Sequence, residues 1–180
     1  FPRRFKKAIH AADSTTIQLV ANCMPWAKHR RRKAAAKCHM KLNLQNFLPS
    51  FAIVKAANTH DSTEAKELCA GMLPGEIVVF DKAYVDYKHL FHLNERKVFW
   101  VTRAKDNMSY EIIENISEAK GSIIRDQRIR LKGTKTQLYY PTELRLVEAE
   151  VEIDGKLKKM VFITNNFKWA PSSVAQIYKS

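Results

Sequence analysis

Between Ser14 and His60 the sequence contains no aspartate or glutamate. The same span carries Lys28, Arg30, Arg31, Arg32, Lys33, Lys37, Lys41 and Lys55. Solvated faces normally mix both signs, so a one-sided stretch of this length points to phosphate contacts, not to an ordinary surface. Each contact adds sequence-independent, salt-sensitive affinity. Long apolar runs are also missing: none approaches the length that spans a bilayer, and no signal peptide opens the chain. Cysteine is scarce and odd in number. Cys23, Cys38 and Cys69 show no tight pairing, which argues against a disulfide framework and suits free thiols in a reducing cytosol. Cys38-His39 is half of a zinc spacing, but no second ligand pair stands at the right distance. No Ser, Tyr or Cys stands beside a partnered base, as a covalent nucleophile requires.

What is present is a globular composition: 180 residues, 46% hydrophobic and 10% aromatic, enough for one domain with a core. Lys and Arg number 31 against 18 Asp and Glu, a net charge of +13. A polyanion is the expected partner, most simply nucleic acid. An anionic membrane surface is the weaker alternative, because no basic amphipathic helix is evident. The chain opens at Phe1 and ends inside a helical pattern, so it is expected to be a piece of a longer protein.

The stretch Glu76-Ile77-Val78-Val79-Phe80-Asp81-Lys82-Ala83-Tyr84 organises the rest. Four large apolar residues after Pro74-Gly75 read as a strand buried on both faces. Reactive groups collect where such strands end, and Asp81 stands at that end. A carboxylate there needs a positive partner, and a divalent metal is one answer. The simpler answer is that Asp81 caps the helix beginning near Tyr84. A second acid bears on the choice. In the segment from Ile9 to Leu19, alternate residues share a strand face. Asp13 then falls among Ile9, Ala11, Thr15 and Ile17, where a buried ligand is the preferred reading and an edge acid the alternative.

Other segments follow in order. Trp26 is either a stacking platform or core. Lys37–Asn43 and Ser50–Ala57 read as strands. Asp61-Ser62-Thr63-Glu64 resembles a capping box, followed by a buried stripe of Ala65, Leu68, Cys69 and Met72 that Gly71 and Pro74-Gly75 end. Val85–Glu95 fits a helix and Lys97–Arg103 a central strand, parallel to the one before it. Arg103 and Lys105 then emerge on the edge that bears Asp81. A short helix is expected around Ser109–Ile116, and strands over 127–131, 137–140, 144–153 and 157–164. Asp154-Gly155 marks a hairpin. A two-residue turn sets Glu152 against Leu157; a bulged three-residue turn sets it against Lys158, which suits the charges better. Pro171 opens a last helix.

Two acids at sheet positions, a basic strip and an α/β core followed by a β-rich segment suit phosphodiester chemistry. Paired carboxylates holding two divalent ions about 4 Å apart are its general apparatus. Carboxylate oxygens suit Mg²⁺ or Mn²⁺.

Ala12-Asp13-Ser14-Thr15, Lys37-Cys38-His39, His60-Asp61, Phe80-Asp81-Lys82-Ala83-Tyr84 and Phe99-Trp100-Val101-Thr102-Arg103-Ala104-Lys105 occur in one order. In that order and spacing the chain resembles bacterial insertion-sequence DDE transposases of the fourth insertion-sequence family. The likeness covers nearly all of the sequence. It implies an α/β fold, a ribonuclease-H-like mixed sheet with flanking helices, interrupted by a β-rich insertion. The core's first part would be residues 1–105, the insertion 106–165, and the start of the third acid's helix 166–180. Asp13 and Asp81 would be the first two catalytic, metal-binding acids. Lys82, Arg103 and Lys105 would touch phosphates near the scissile bond, and Lys28, Arg30, Arg31, Arg32, Lys33 and Lys37 would track the DNA backbone. The family's last motif runs Tyr, two residues, Arg, three residues, Glu, six residues, Lys. Ile177-Tyr178-Lys179-Ser180 matches its opening, and the third catalytic Glu is absent from the chain. Ala12 replaces a frequent Ile, and Lys82-Ala83 replaces the more usual Arg-Gly, which removes a guanidinium fork.

The implied chemistry is Mg²⁺- or Mn²⁺-dependent cleavage of double-stranded DNA at transposon ends. The freed 3′-hydroxyl then attacks the opposite strand or target DNA. The resemblance also implies a bacterial cytoplasmic protein associated with the nucleoid, allows a homodimer in the DNA complex, and gives membranes no part. These residues alone are expected to be inactive. The alternative is a non-catalytic DNA-binding remnant of a transposase.

Overall fold

The computed structural model describes residues 5–19, 28–29, 33–58, 60–153 and 155–179, with backbone only at Leu19, Lys28, His29, Lys33 and Ala34. Cys23, Trp26, Arg30, Arg31 and Arg32 lie outside the described residues, as do the side chains of Lys28 and Lys33.

The parallel heart of the molecule is β1 (Ile9–Leu19), β5 (Ile77–Phe80) and β6 (Phe99–Arg103), hydrogen-bonded in that order. All four residues of β5 are buried, as expected for a strand covered on both faces. Side-chain alternation divides them. Val78 and Phe80 join Ala12, Trp100, Leu90 and Leu93 on one face; Ile77 and Val79 join Ile9, Val101 and Phe162 on the other.

Antiparallel strands extend both sides into one ten-stranded sheet. β3 (Lys33–Asn43) pairs with β1, and its far edge carries β2 (Lys28–His29) and β4 (Leu48–Ala56). Beyond β6 come β10 (Lys156–Thr164), β9 (Leu144–Ile153), β8 (Ile123–Leu131) and β7 (Tyr110–Ser117), all antiparallel. The β-rich segment after residue 105 is therefore continuous with the core sheet through β10 on β6.

Helices cover both faces. α1 (Asp61–Leu68) and α2 (Tyr87–Glu95) lie on the Phe80 face, with α3 (Thr134–Tyr139) beside α2. α4 (Pro171–Lys179) lies on the Val79 face through Val174, Ala175 and Ile177. The stripe of Ala65, Leu68, Cys69 and Met72 is no more than 3% exposed, as its spacing requires. No helix among the described residues is long and apolar enough to cross a membrane.

Several local expectations are corrected. Residues 110–117 form β7 instead of a helix. Glu111 and Glu114 lie opposite Arg130 and Arg128 in the ladder and form ion pairs at 3.5 and 3.0 Å, cross-strand contacts that favour the strand. Residues 137–139 belong to α3, because Gly133 (φ 93°) ends the preceding strand and turns the chain. The helix expected over Val85–Glu95 forms as α2 from Tyr87, capped by Asp86 through the His89 N–H at 3.0 Å, and a 3₁₀ turn over Lys82–Tyr84 precedes it. The hairpin pairs Ile153 with Lys156 and Glu152 with Leu157, a two-residue turn with Gly155 at φ 72°. Turn geometry outweighs the Glu152–Lys158 attraction, because that residue is exposed and an exposed pair contributes little.

Candidate active site

Ala12 pairs with Phe80, and Phe80 with Thr102, across the parallel strands. The next residues along are Asp13, Asp81 and Arg103. They share the face of Ala11, Val79 and Val101, because alternation returns each side chain to that side. Parallel neighbours are spaced about 4.8 Å apart, so the backbones of Asp13 and Asp81 stand at about one level on adjacent strands. β5 and β6 end at this level, while β1 runs on to Leu19.

Asp81 continues the extended backbone of β5 (φ −68°, ψ 160°). Its Oδ1 accepts from the Ala83 N–H at 3.2 Å, so it caps the 3₁₀ turn. Its Oδ2 accepts from Arg103 Nη2 at 2.5 Å and from the Tyr178 hydroxyl at 3.2 Å. Burial pushes the Asp81 carboxyl pKa up, but Arg103, the Ala83 amide and Tyr178 outweigh it and hold the group below the usual carboxylate range. Burial, aided by the Asp81 charge, pushes the Tyr178 phenol up to about 12, so it remains a donor. Tyr178 is held in turn by Phe162, ring centroids 5.1 Å apart, and the Arg103 guanidinium lies 6.0 Å from its ring centre.

Asp13 is different. The expectation of a buried ligand is corrected: it is exposed, with its Oδ1 accepting from the Ser14 N–H at 2.7 Å. Ile9 is buried and Ala11 half-buried on that face, but Thr15 and Ile17 are exposed, since no described element covers the outer part of β1.

The expected phosphate contacts divide. Lys82 and Lys105 flank a shallow cleft of about 380 Å³ beside Asp81. Lys82 is paired with the exposed Asp106 at 2.7 Å, and Lys105 donates to the Val85 carbonyl at 2.9 Å. Arg103 and Lys82 also line a neighbouring cleft of about 410 Å³ with Lys158 and Lys159. Lys37 is not brought to this edge face. It sits opposite Thr16, on the reverse side of the sheet, and binds Asp61 at 2.7 Å. A larger cavity of about 820 Å³, lined by Lys66, His89, Phe91 and Tyr139, lies among the helices and holds none of the candidate residues.

Asp61 is also corrected. Helix α1 begins at Asp61 itself, and His60 precedes it with no side-chain cap bond. The Asp61 carboxylate is used by Ser14, Lys37 and His39. Sequence reading missed this cluster and the Tyr178–Asp81 contact. The signal available was that Asp61 is the first acid after the acid-free span, next to a short motif with no assigned role.

Among the described residues, no group of three or more His, Cys, Asp or Glu side chains is placed to hold a metal ion. Asp13 and Asp81 supply two oxygen donors of the kind that suits Mg²⁺ or Mn²⁺. They fit such an ion as part of a ligand set.

A family model described as "Transposase DDE domain" matches residues 4–180. The chain belongs to the DDE transposase domain family. This DDE domain is 26% identical over 179 residues to the probable transposase for insertion sequence element IS5377 of Geobacillus stearothermophilus, covering 98% of the chain and 45% of that protein. It is 28% identical over 182 residues to the putative transposase y4zB of Sinorhizobium fredii, covering 98% of the chain and 49% of that protein. The chain thus spans a little under half the length of these relatives. Its fold matches a chain in the piggyBac transposase synaptic complex with hairpin DNA, at a TM-score of 0.53 and 12% identity, over 96% of the DDE domain and 37% of that chain. The ribonuclease-H-like α/β fold and the resemblance to bacterial insertion-sequence DDE transposases both stand, and the fourth family is compatible with them.

Proposed function

We propose that this DDE domain carries acids for divalent-metal-dependent DNA strand cleavage and strand transfer at transposon ends. The observation that supports this reading is that Asp13 and Asp81 directly follow the paired residues Ala12 and Phe80 on adjacent parallel strands, on one face of the sheet. Asp13 and Asp81 would hold Mg²⁺ or Mn²⁺, with a further acid completing the set; α4 itself carries none. The bound ion would supply Lewis acidity toward the scissile phosphate.

The chain's own residues would do the positioning. Arg103 and Lys82 stand beside Asp81 and are held by acids, so each can exchange a carboxylate for a DNA phosphate. Lys105 borders the same cleft. Residues 1–105 with 166–180 would form the core and 106–165 an insertion that shares its sheet. Double-stranded DNA is the partner, in the bacterial cytoplasm.

One observation favours a second reading, a DNA-binding module without chemistry: no described third acid joins the pair. Asp13→Asn and Asp81→Asn in the full-length protein separate the two. Each should abolish strand cleavage and leave DNA binding within a few-fold of normal. Normal cutting by either variant would overturn the metal-holding assignment.

A further inference from the structure

Behind the carboxylate edge, on the reverse face of the sheet, four of the short motifs converge. Ser14 Oγ donates to Asp61 Oδ1 at 3.1 Å, and Lys37 Nζ reaches the same oxygen at 2.7 Å. His39 Nδ1 lies 3.5 Å from that oxygen and 3.0 Å from the Tyr84 hydroxyl, its ring edge-on to the phenol. His39 is fully buried and Tyr84 is 1% exposed.

The protons can be placed from this geometry. Burial keeps His39 neutral, with a pKa below the usual histidine value, so the ring has one N–H. On Nδ1 that proton goes to the Tyr84 oxygen. Ser14 donates separately to Asp61, whose charge Lys37 neutralises.

The chain links this network to the opposite face. Ser14 follows Asp13 on β1, so one residue projects the acid and the next projects the anchor. Tyr84 closes the turn after β5, its N–H bonded to the Asp81 carbonyl at 3.0 Å. Asp61 therefore holds β1 from behind through Ser14, and the turn after β5 through His39 and Tyr84.

We infer that Ser14, His39, Asp61 and Tyr84 are positioning residues that set the spacing and direction of the Asp13 and Asp81 carboxylates. The inference rests on the reading of those acids as metal-holding groups. Such groups must be kept within about 0.5 Å of their working geometry, and only packed, hydrogen-bonded supports do that.

The test is a Mn²⁺ titration followed by paramagnetic broadening of backbone amides near residues 13 and 81, with thermal unfolding recorded for each protein. Ser14→Ala and Tyr84→Phe should stay folded and bind Mn²⁺ about 10-fold more weakly, while Ser14→Thr, which keeps the hydroxyl, should stay within about 2-fold of the wild type. Asp81→Asn should lose the broadening. If Asp81→Asn loses it but Ser14→Ala and Tyr84→Phe bind like the wild type, the positioning role is overturned and the metal-holding reading survives. If Asp81→Asn broadens like the wild type, that reading fails and this inference with it. Weaker binding that only tracks a loss of folded protein, with no rescue by Ser14→Thr, assigns the network to stability alone and overturns the role.

Discussion

Arg103 Nη2 lies 2.5 Å from Asp81 Oδ2, joining the ends of two neighbouring parallel strands. The contact brings a fixed positive charge to the proposed metal-holding carboxylate. Removing it in Arg103→Ala leaves Asp81 with the Ala83 amide and the Tyr178 hydroxyl, while burial still favours the neutral acid. The Asp81 carboxyl should then titrate at higher pH than in the wild type. Side-chain NMR titration checks this, and an unchanged or lower pKa would count against the geometry described.

The net charge of +13 makes a prediction about salt. Non-specific affinity for duplex DNA should fall about 1000-fold or more between 50 and 200 mM salt if six or more phosphates are contacted. Fluorescence anisotropy at several salt concentrations measures the slope. A flat response would leave the basic residues without phosphate partners.

Arg145 and Asp126 form the most deeply buried ion pair described, two hydrogen bonds at 2.7 and 2.8 Å with both residues 2% exposed or less. Arg145 Nη1 also donates to the Trp169 carbonyl at 2.6 Å, and Ser117 donates to Asp126 at 2.7 Å. The pair thus ties β8 and β9 to the loop leading into α4, the helix that carries Tyr178. Asp126→Ala leaves a buried guanidinium uncompensated and should cost about 3–5 kcal/mol in denaturant unfolding. Arg145→Lys should also destabilise, since an ammonium cannot reproduce the fork.

Burial lowers the His89 pKa from 6.5 to about 4, against the pull of Asp86 and with help from Lys66, His92 and Arg96. Its folded pKa is below its unfolded one, so its contribution is complete above pH 6.5 and is lost as pH falls toward 4. The loss is about 3 kcal/mol at most, at 1.36 kcal/mol per unit. His39 and His10 shift the same way. Stability should therefore decline through this window, and His89→Leu should flatten part of the decline in thermal unfolding scans. A wild-type curve level from pH 6.5 to 4 would contradict the burial.

Residues 1–180 alone should show little or no Mg²⁺-dependent DNA cleavage, because two acids leave the proposed ligand set incomplete. Robust turnover on a supercoiled plasmid would mean that a third ligand stands among these residues.

Much of the fold was legible where the pattern is local. Ile77–Phe80 is too apolar for a surface strand, and Ala65, Leu68, Cys69 and Met72 match one helical face. Reading failed where distant partners decide. The segment at 110–117 has no strong strand pattern and becomes β7 because Arg128 and Arg130 lie opposite its glutamates. Asp61 looked like a cap because its neighbours in sequence look like a capping box; its partners come from β1 and β3.

By itself the sequence determined the basic charge, the central buried strands, the helical stripe of α1 and the place of Asp81 at the end of a buried strand. It did so because solvation and side-chain periodicity act on neighbouring residues. Tertiary structure alone decided that Asp13 is exposed, that Asp81 holds Arg103 and Tyr178, that Lys37 turns to the reverse face, and that Asp61 gathers Ser14, His39 and Lys37. Those outcomes depend on strand order and register, which bring together groups that no local pattern relates.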